Sequence, residues 1–199
     1  MSPRLLLVFA AWGSIPSPWP AATTPENFCA GKVYFPEDGT VYFKADHRRY
    51  GAIKPVANSM LGDRDVLREL TKQAGIATNV WLVLLHNTLL GARHPDAAVA
   101  NAFGDRYIYS LCPSAPAARA YAIGLARDVT ESYEVSGLSL ESPGFAPYAH
   151  GFHHEFALNQ PNRWLDSQLG LCFCDHCLRG ASAATRPTAG ARCAVVVAG

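Results

Sequence analysis

With 199 residues, 49% of them hydrophobic and 17% charged, the chain suffices for one domain with a sizeable core and is short for two. The formal net charge is +1, and the lysines and arginines are scattered rather than gathered in runs. That removes the electrostatic case for nucleic acid or an anionic membrane surface as partner and leaves a small neutral molecule.

Residues 1–30 are rich in Pro and Ala without helical or strand periodicity, and an irregular segment is expected there. The opening MSPRLLLVFAAW only imitates a signal peptide. Its apolar run is too short to span a membrane, and IPSPWPAATTP offers no clean cleavage site. In KVYFPEDGTVYF, strand-like residues flank Glu37-Asp38-Gly39, a hairpin-type turn signal. Asp63 can cap a helix in which Val66, Leu67, Leu70 and Ala74 recur at helical spacing until Gly75. The unbroken apolar run from Val80 to Leu85 then suits a strand covered on both faces, as in a parallel sheet.

Residues 86–113 read as a long loop leaving the carboxyl end of that strand, and such loops are usually functional or disordered. Ser114 and Pro116 announce a helix with Tyr121, Leu125, Val129 and Tyr133 along one face. GLSLE at 137–141 is the next strand, completing a βαβ crossover. The tail over 181–199 is low in complexity and expected to be poorly ordered. The organisation is thus an irregular segment at 1–30, one domain over 31–180 and the tail at 181–199.

Glu141 ends a strand and is followed at once by Pro143-Gly144. A carboxylate there points out of the rim where α/β folds keep reactive groups, and partial exclusion of water suits it to general acid work. Its bland alternative is a solvated strand-end carboxylate or a helix-cap acceptor. His86 and Asn87 end the preceding strand and are suited to recognise hydroxyls, or simply to tie down the long loop. His153, His154 and Glu155 can bind a metal or a sugar hydroxyl, with Tyr148, His150 and Phe152 as a stacking surface. Adjacent histidines in an extended segment point to opposite sides, so one of the pair at most faces the site of Glu141. A surface or supporting role is the commoner one for such a pair.

Cys172, Cys174 and Cys177 form C-x-C-x-x-C, whose neighbours are too close to pair readily as disulfides. Reduced thiols or a metal fit better, which favours a cytoplasmic protein. A structural zinc, with Zn–S bonds of roughly 2.3 Å, requires a fourth ligand. Cys112 is the first candidate, with His176 and Cys29 as substitutes, and three free thiols at a helix start are the alternative. No phosphate loop, G-x-S-x-G elbow or dinucleotide fingerprint appears.

Over about 32–180 the chain resembles largely uncharacterised bacterial proteins related to glycoside hydrolases with a (β/α)8 barrel. The resemblance is carried by KVYFPEDGTVYF, WLVLLHNTLLG, NAFGDRYIYSLCPSAP, LESPGF, HGFHHE and GLCFCDHC. The cysteine cluster is similar to the zinc cluster of one beta-galactosidase family, whose remaining cysteine lies earlier in the chain, as Cys112 does. The resemblance implies an α/β fold of parallel strands, a partial TIM-type barrel with irregular N- and C-terminal ends. It also implies a small carbohydrate as partner and Glu141 as acid/base at the end of a barrel strand. Glycosidases flank the scissile bond with two carboxyl groups, and Glu155 is the nearest second one. A full barrel needs about 250 residues against roughly 150 that read as barrel, so the chain reads as a fragment. Two functions follow as expectations: a glycosidase-like protein, or an inactive fragment that binds sugar or has no activity. Neither nucleic acid nor a membrane is expected as partner, and the oligomeric state stays open.

Overall fold

The apolar run at 80–85 forms the spine of the molecule. The structure is a computed structural model that describes residues 4–11, 37, 39–148 and 163–181. In chain order the strands are β1 (Arg4–Ala11), β2 (Thr40–Val41), β3 (Val56–Ala57), β4 (Ile76–Val83), β5 (Ala98–Ala100), β6 (Arg106–Leu111) and β7 (Gly137–Glu141). The helices are α1 (Val66–Thr71), α2 (Thr88–Arg93), α3 (Pro116–Ser132), α4 (Arg163–Leu169) and α5 (Asp175–Gly180).

Five strands make one sheet in the order β3-β2-β1-β4-β7, and β5 and β6 pair as an antiparallel hairpin. β4 runs parallel to β1 on one side and to β7 on the other, with Val80 opposite Leu138 and Val83 opposite Glu141. β2 runs antiparallel to β1 and parallel to β3. The expected partial (β/α)8 barrel is therefore incorrect: the sheet is open and mixed, and the described residues show neither closure nor an eightfold repeat. Closure of a (β/α)8 barrel requires every strand to run parallel to its neighbour with a staggered register. Here the antiparallel β2 and the two-residue β3 occupy one side, while β7 is left as the other edge.

Residues 4–11, expected to be irregular, form β1 at the centre of the sheet. A continuous apolar run without alternation is what a central strand with parallel pairing contains, and the neighbouring prolines masked that signal. Residues 12–30 and the tail from 182 lie outside the described residues. The first helix starts at Asp65 rather than Asp63: the Asp65 carboxylate accepts from the Arg68 N–H, and the helix spans Val66–Thr71.

The long loop expected at 86–113 is instead built structure: α2, β5 and β6 fill most of it. The Asn87 side chain caps α2 by accepting from the Leu90 N–H and donates to the Gly39 carbonyl. Gly91 is required where α2 crosses β6, because a Cβ there would overlap the Ile108 carbonyl. Single-sequence periodicity misses such an element, since α2 has six residues and β5 three.

The helix at 116–132 and the strand at 137–141 lie where the sequence places them. Tyr121, Leu125 and Val129 are fully buried and join Val80 and Leu82 of β4 in one core. Burial alternates along β4: Thr78, Val80 and Leu82 are covered, whereas Asn79 and Trp81 are half-buried, so the coverage of its two faces is unequal.

One carboxylate holds α3 to the segment before β3. Asp128 is 0% exposed and accepts from the Asp46 N–H at 2.8 Å, the Tyr50 hydroxyl at 2.9 Å and the Ser132 hydroxyl at 3.0 Å. The Arg49 guanidinium lies 3.6 Å away. Burial, together with the Asp128 charge beside it, pushes the Tyr50 hydroxyl well above its usual range, so Tyr50 remains a donor.

Two outcomes are expected. Asp128→Ala leaves several buried donors unsatisfied and should lower the unfolding free energy by roughly 2–4 kcal/mol in urea denaturation. Removal of residues 1–11 takes out the strand between β2 and β4, and circular dichroism should then show no cooperative thermal transition.

Candidate metal centre and the strand-end residues

β6 carries the chain to Cys112, whose position is set by the backbone on either side. The Leu111 N–H donates to the Leu85 carbonyl at 2.8 Å and the Cys112 N–H to the Ala97 carbonyl at 2.7 Å. From the other end of the fold, the Phe173 N–H donates to the Ala100 carbonyl at 2.7 Å, which places Cys172 and Cys174 beside the end of the hairpin. Cys174 is the N-cap residue of α5, and Cys177 follows within that helix.

The four sulfurs of Cys112, Cys172, Cys174 and Cys177 lie within 4.8 Å of one another. From Cys112 Sγ the distances are 3.5 Å to Cys177, 3.5 Å to Cys174 and 3.8 Å to Cys172. A tetrahedron of metal–thiolate bonds of about 2.3 Å has edges of about 3.8 Å, whereas a disulfide would draw two sulfurs to about 2.05 Å. The spacing matches the first geometry, and the four are free thiols that could hold one metal ion. Cys112 thus supplies the fourth sulfur among the candidates the sequence offers. His176 bonds through Nδ1 to Arg179, and Cys29 lies outside the described residues.

The contact with Cys112, reinforced by burial, pushes the Cys172 thiol far up, and burial raises Cys177 to about 11. Without a cation these thiols stay protonated at neutral pH, because crowded thiolates repel one another. The Ser114 N–H, 3.4 Å from Cys112 Sγ, is a donor toward the cluster next to the start of α3.

A second cluster is aromatic. Tyr107 and Tyr109 alternate along β6 and stack with ring centres 5.5 Å apart; Tyr148 lies 5.7 Å from Tyr107. The hydroxyl of Tyr109 donates to the Tyr148 carbonyl, and that of Tyr107 to the Leu169 carbonyl. His86 meets the Tyr109 ring edge-on at 6.2 Å and bridges to Ser110. The structure therefore brings His86 and Tyr148 together through Tyr109. The Y-x-Y spacing of RYIYSL is the sequence signal that carries both tyrosines of β6, and strand alternation alone does not mark them as a site.

Glu141 is half-buried at the end of β7. Its carbonyl accepts from the Leu84 N–H at 3.0 Å, and that of Ser142 accepts from the Leu85 N–H at 3.2 Å, so Glu141 lies beside the residues that lead to His86. Ser142 has φ +50°, the one non-glycine residue with positive φ among those described. Asn87 is buried, with its amide used to cap α2 and to hold Gly39. His153, His154 and Glu155 lie outside the described residues.

The raised thiol values make the pH dependence a test with opposite signs in the two states. Metal binding expels the thiol protons, so the loaded chain should lose metal and melt lower as pH falls. In the metal-free chain the folded state favours protonated thiols. Its stability is then complete below the ordinary thiol range and declines as pH rises through it toward about 11. Melting temperatures measured across pH with and without chelator should show these two trends.

No family model matches the chain, and no curated protein or solved structure matches it, so its own geometry is the basis for assigning the site.

Proposed function

We propose that the four cysteines hold a structural zinc that fastens the segment around α5 to the end of the β5-β6 hairpin. The observation that carries this is the set of sulfur distances from Cys112, 3.5–3.8 Å, which suits a tetrahedral tetrathiolate. Four thiolates with no open position suit a structural ion rather than a catalytic one, and soft sulfur ligands select zinc over magnesium or calcium. The ion joins parts of the chain 60–65 residues apart, so its binding energy is folding energy. Protein purified without chelator should carry about one zinc per chain by elemental analysis, and Cys112→Ser should reduce this several-fold. Less than half an equivalent, or four thiols fully reactive in the native protein, would reject the reading.

A second reading is favoured by the strained residue behind Glu141. A serine held at φ +50° costs about 1–2 kcal/mol, and such outliers cluster where a fold positions a reactive group. On this reading the rim formed by the ends of β4 and β7 is a carbohydrate-directed site. Glu141 serves as general acid/base, and His86 and Tyr148 belong to the same aromatic neighbourhood. The second carboxylate that glycoside hydrolysis requires would come from Glu155. Chromogenic glycosides supply the test: turnover by the intact chain that is lost in Glu141→Gln supports an enzyme. Saturable sugar binding without turnover supports a binding protein, and the absence of both turnover and binding would reject the carbohydrate reading.

A further inference from the structure

The four sulfurs differ in their access to solvent, and that difference assigns them different chemistry. Cys112 and Cys174 are buried at 0% and 1% exposure, while Cys172 and Cys177 are half-buried. A small oxidant arriving from solvent meets Cys172 or Cys177 first. Cys177 lies 3.5 Å from Cys112 Sγ and Cys172 lies 3.8 Å from it. Cys174 is as near to Cys112 as Cys177 is, but it is covered. Cys172 and Cys174 are separated by one residue, a spacing that strains a disulfide between them. Of the two half-buried cysteines, Cys177 is the nearer to the buried Cys112.

We propose that this centre is a peroxide-sensitive modification site, in which Cys177 is oxidised, Cys112 resolves it and the bound zinc is released. The inference rests on the zinc reading above. The Cys177 thiolate attacks hydrogen peroxide: the O–O bond breaks, an S–O bond forms, and hydroxide leaves to become water on taking a proton. The product is the sulfenic acid of Cys177. The Cys112 thiolate then attacks that sulfur. The S–S bond forms, the S–O bond breaks, and the second hydroxide leaves and is protonated to water. In sum, two thiolates, one peroxide and two protons give one disulfide and two waters, with sulfur oxidised and peroxide oxygen reduced.

The sulfurs close from 3.5 Å to a bond of about 2.05 Å, a movement that side-chain adjustment supplies. Zinc is left with Cys172 and Cys174, two ligands where a closed site requires four. The disulfide keeps α5 attached to the end of β6, so oxidation exchanges a metal clasp for a covalent one and frees the C-x-C pair. A thiol reductant restores both cysteines and the capacity to rebind zinc.

The experiment uses the intact chain, first analysed for zinc content and then treated with hydrogen peroxide. A chromogenic chelator follows the released ion, and non-reduced peptide mapping follows the sulfurs. The expected result is release of about one zinc per chain, a Cys112–Cys177 disulfide as the main product, and recovery of both on reduction. Retained zinc, a disulfide involving Cys29, Cys193 or the Cys172–Cys174 pair, or sulfinic acid at Cys177 without a disulfide would overturn it. A chain lacking zinc before treatment defeats the zinc reading instead, and the mapped disulfide then decides the pairing of Cys112 with Cys177 by itself. Cys177→Ser, if it still binds zinc, should release it at least ten-fold more slowly at the same peroxide concentration.

Discussion

The backbone from Leu84 to Asn87 is the constraint on which the rest of the structure depends. Leu84 and Leu85 donate their N–H groups to Glu141 and Ser142, which extends the β4–β7 pairing beyond the strands proper. The Leu85 carbonyl accepts from Leu111, and the Asn87 N–H donates to Tyr109, so the same four residues also hold β6. A segment bonded on both edges inside an apolar core has little freedom to move, because every broken bond would leave a buried polar group unpaired. Through it the strand-end carboxylate, the tyrosine pair of β6 and Cys112 are held in one frame.

The thiol centre adds an electrostatic requirement to that frame. Hydrogen bonds from Phe173 and Cys112 to the β5 region bring the sulfurs together; contact with Cys112 and burial then disfavour the charged form of Cys172, and burial that of Cys177. On the zinc proposal, a cation would resolve the conflict by making the thiolate the preferred state. On the proposed oxidation, peroxide would resolve it in another way, by converting two thiolates to a neutral disulfide. Both proposed outcomes would keep α5 at the end of β6, and they would differ in what becomes of Cys172 and Cys174.

Asp128 performs the corresponding task on α3. Its carboxylate is fully buried, yet it gathers a backbone N–H, two hydroxyls and the Arg49 guanidinium, so its desolvation is offset by hydrogen bonds rather than left uncompensated. The Tyr133 hydroxyl, 2.9 Å from Asp65, similarly joins the end of α3 to the start of α1. Apart from the Ser132 hydroxyl four residues on, these partners lie 68 residues or more away in sequence, so residue spacing does not show them.

The sequence by itself determined those elements whose signal is local. The four-residue steps of Tyr121, Leu125 and Val129 specify α3, the apolar run at 80–85 specifies β4, and C-x-C-x-x-C marks three of the four clustered sulfurs, with Cys112 chosen over His176 and Cys29 only by the fold. Only the tertiary structure decided what those elements are joined to. β1 became a central strand because β4 offered it a parallel edge, and the stretch at 86–113 became α2 and a hairpin because Leu85, Asn87 and Ala97 supplied its hydrogen-bond partners. The barrel expectation failed for the same reason. Closure depends on strand direction and stagger across the whole sheet, and hydrophobic patterning along one strand carries no information about either.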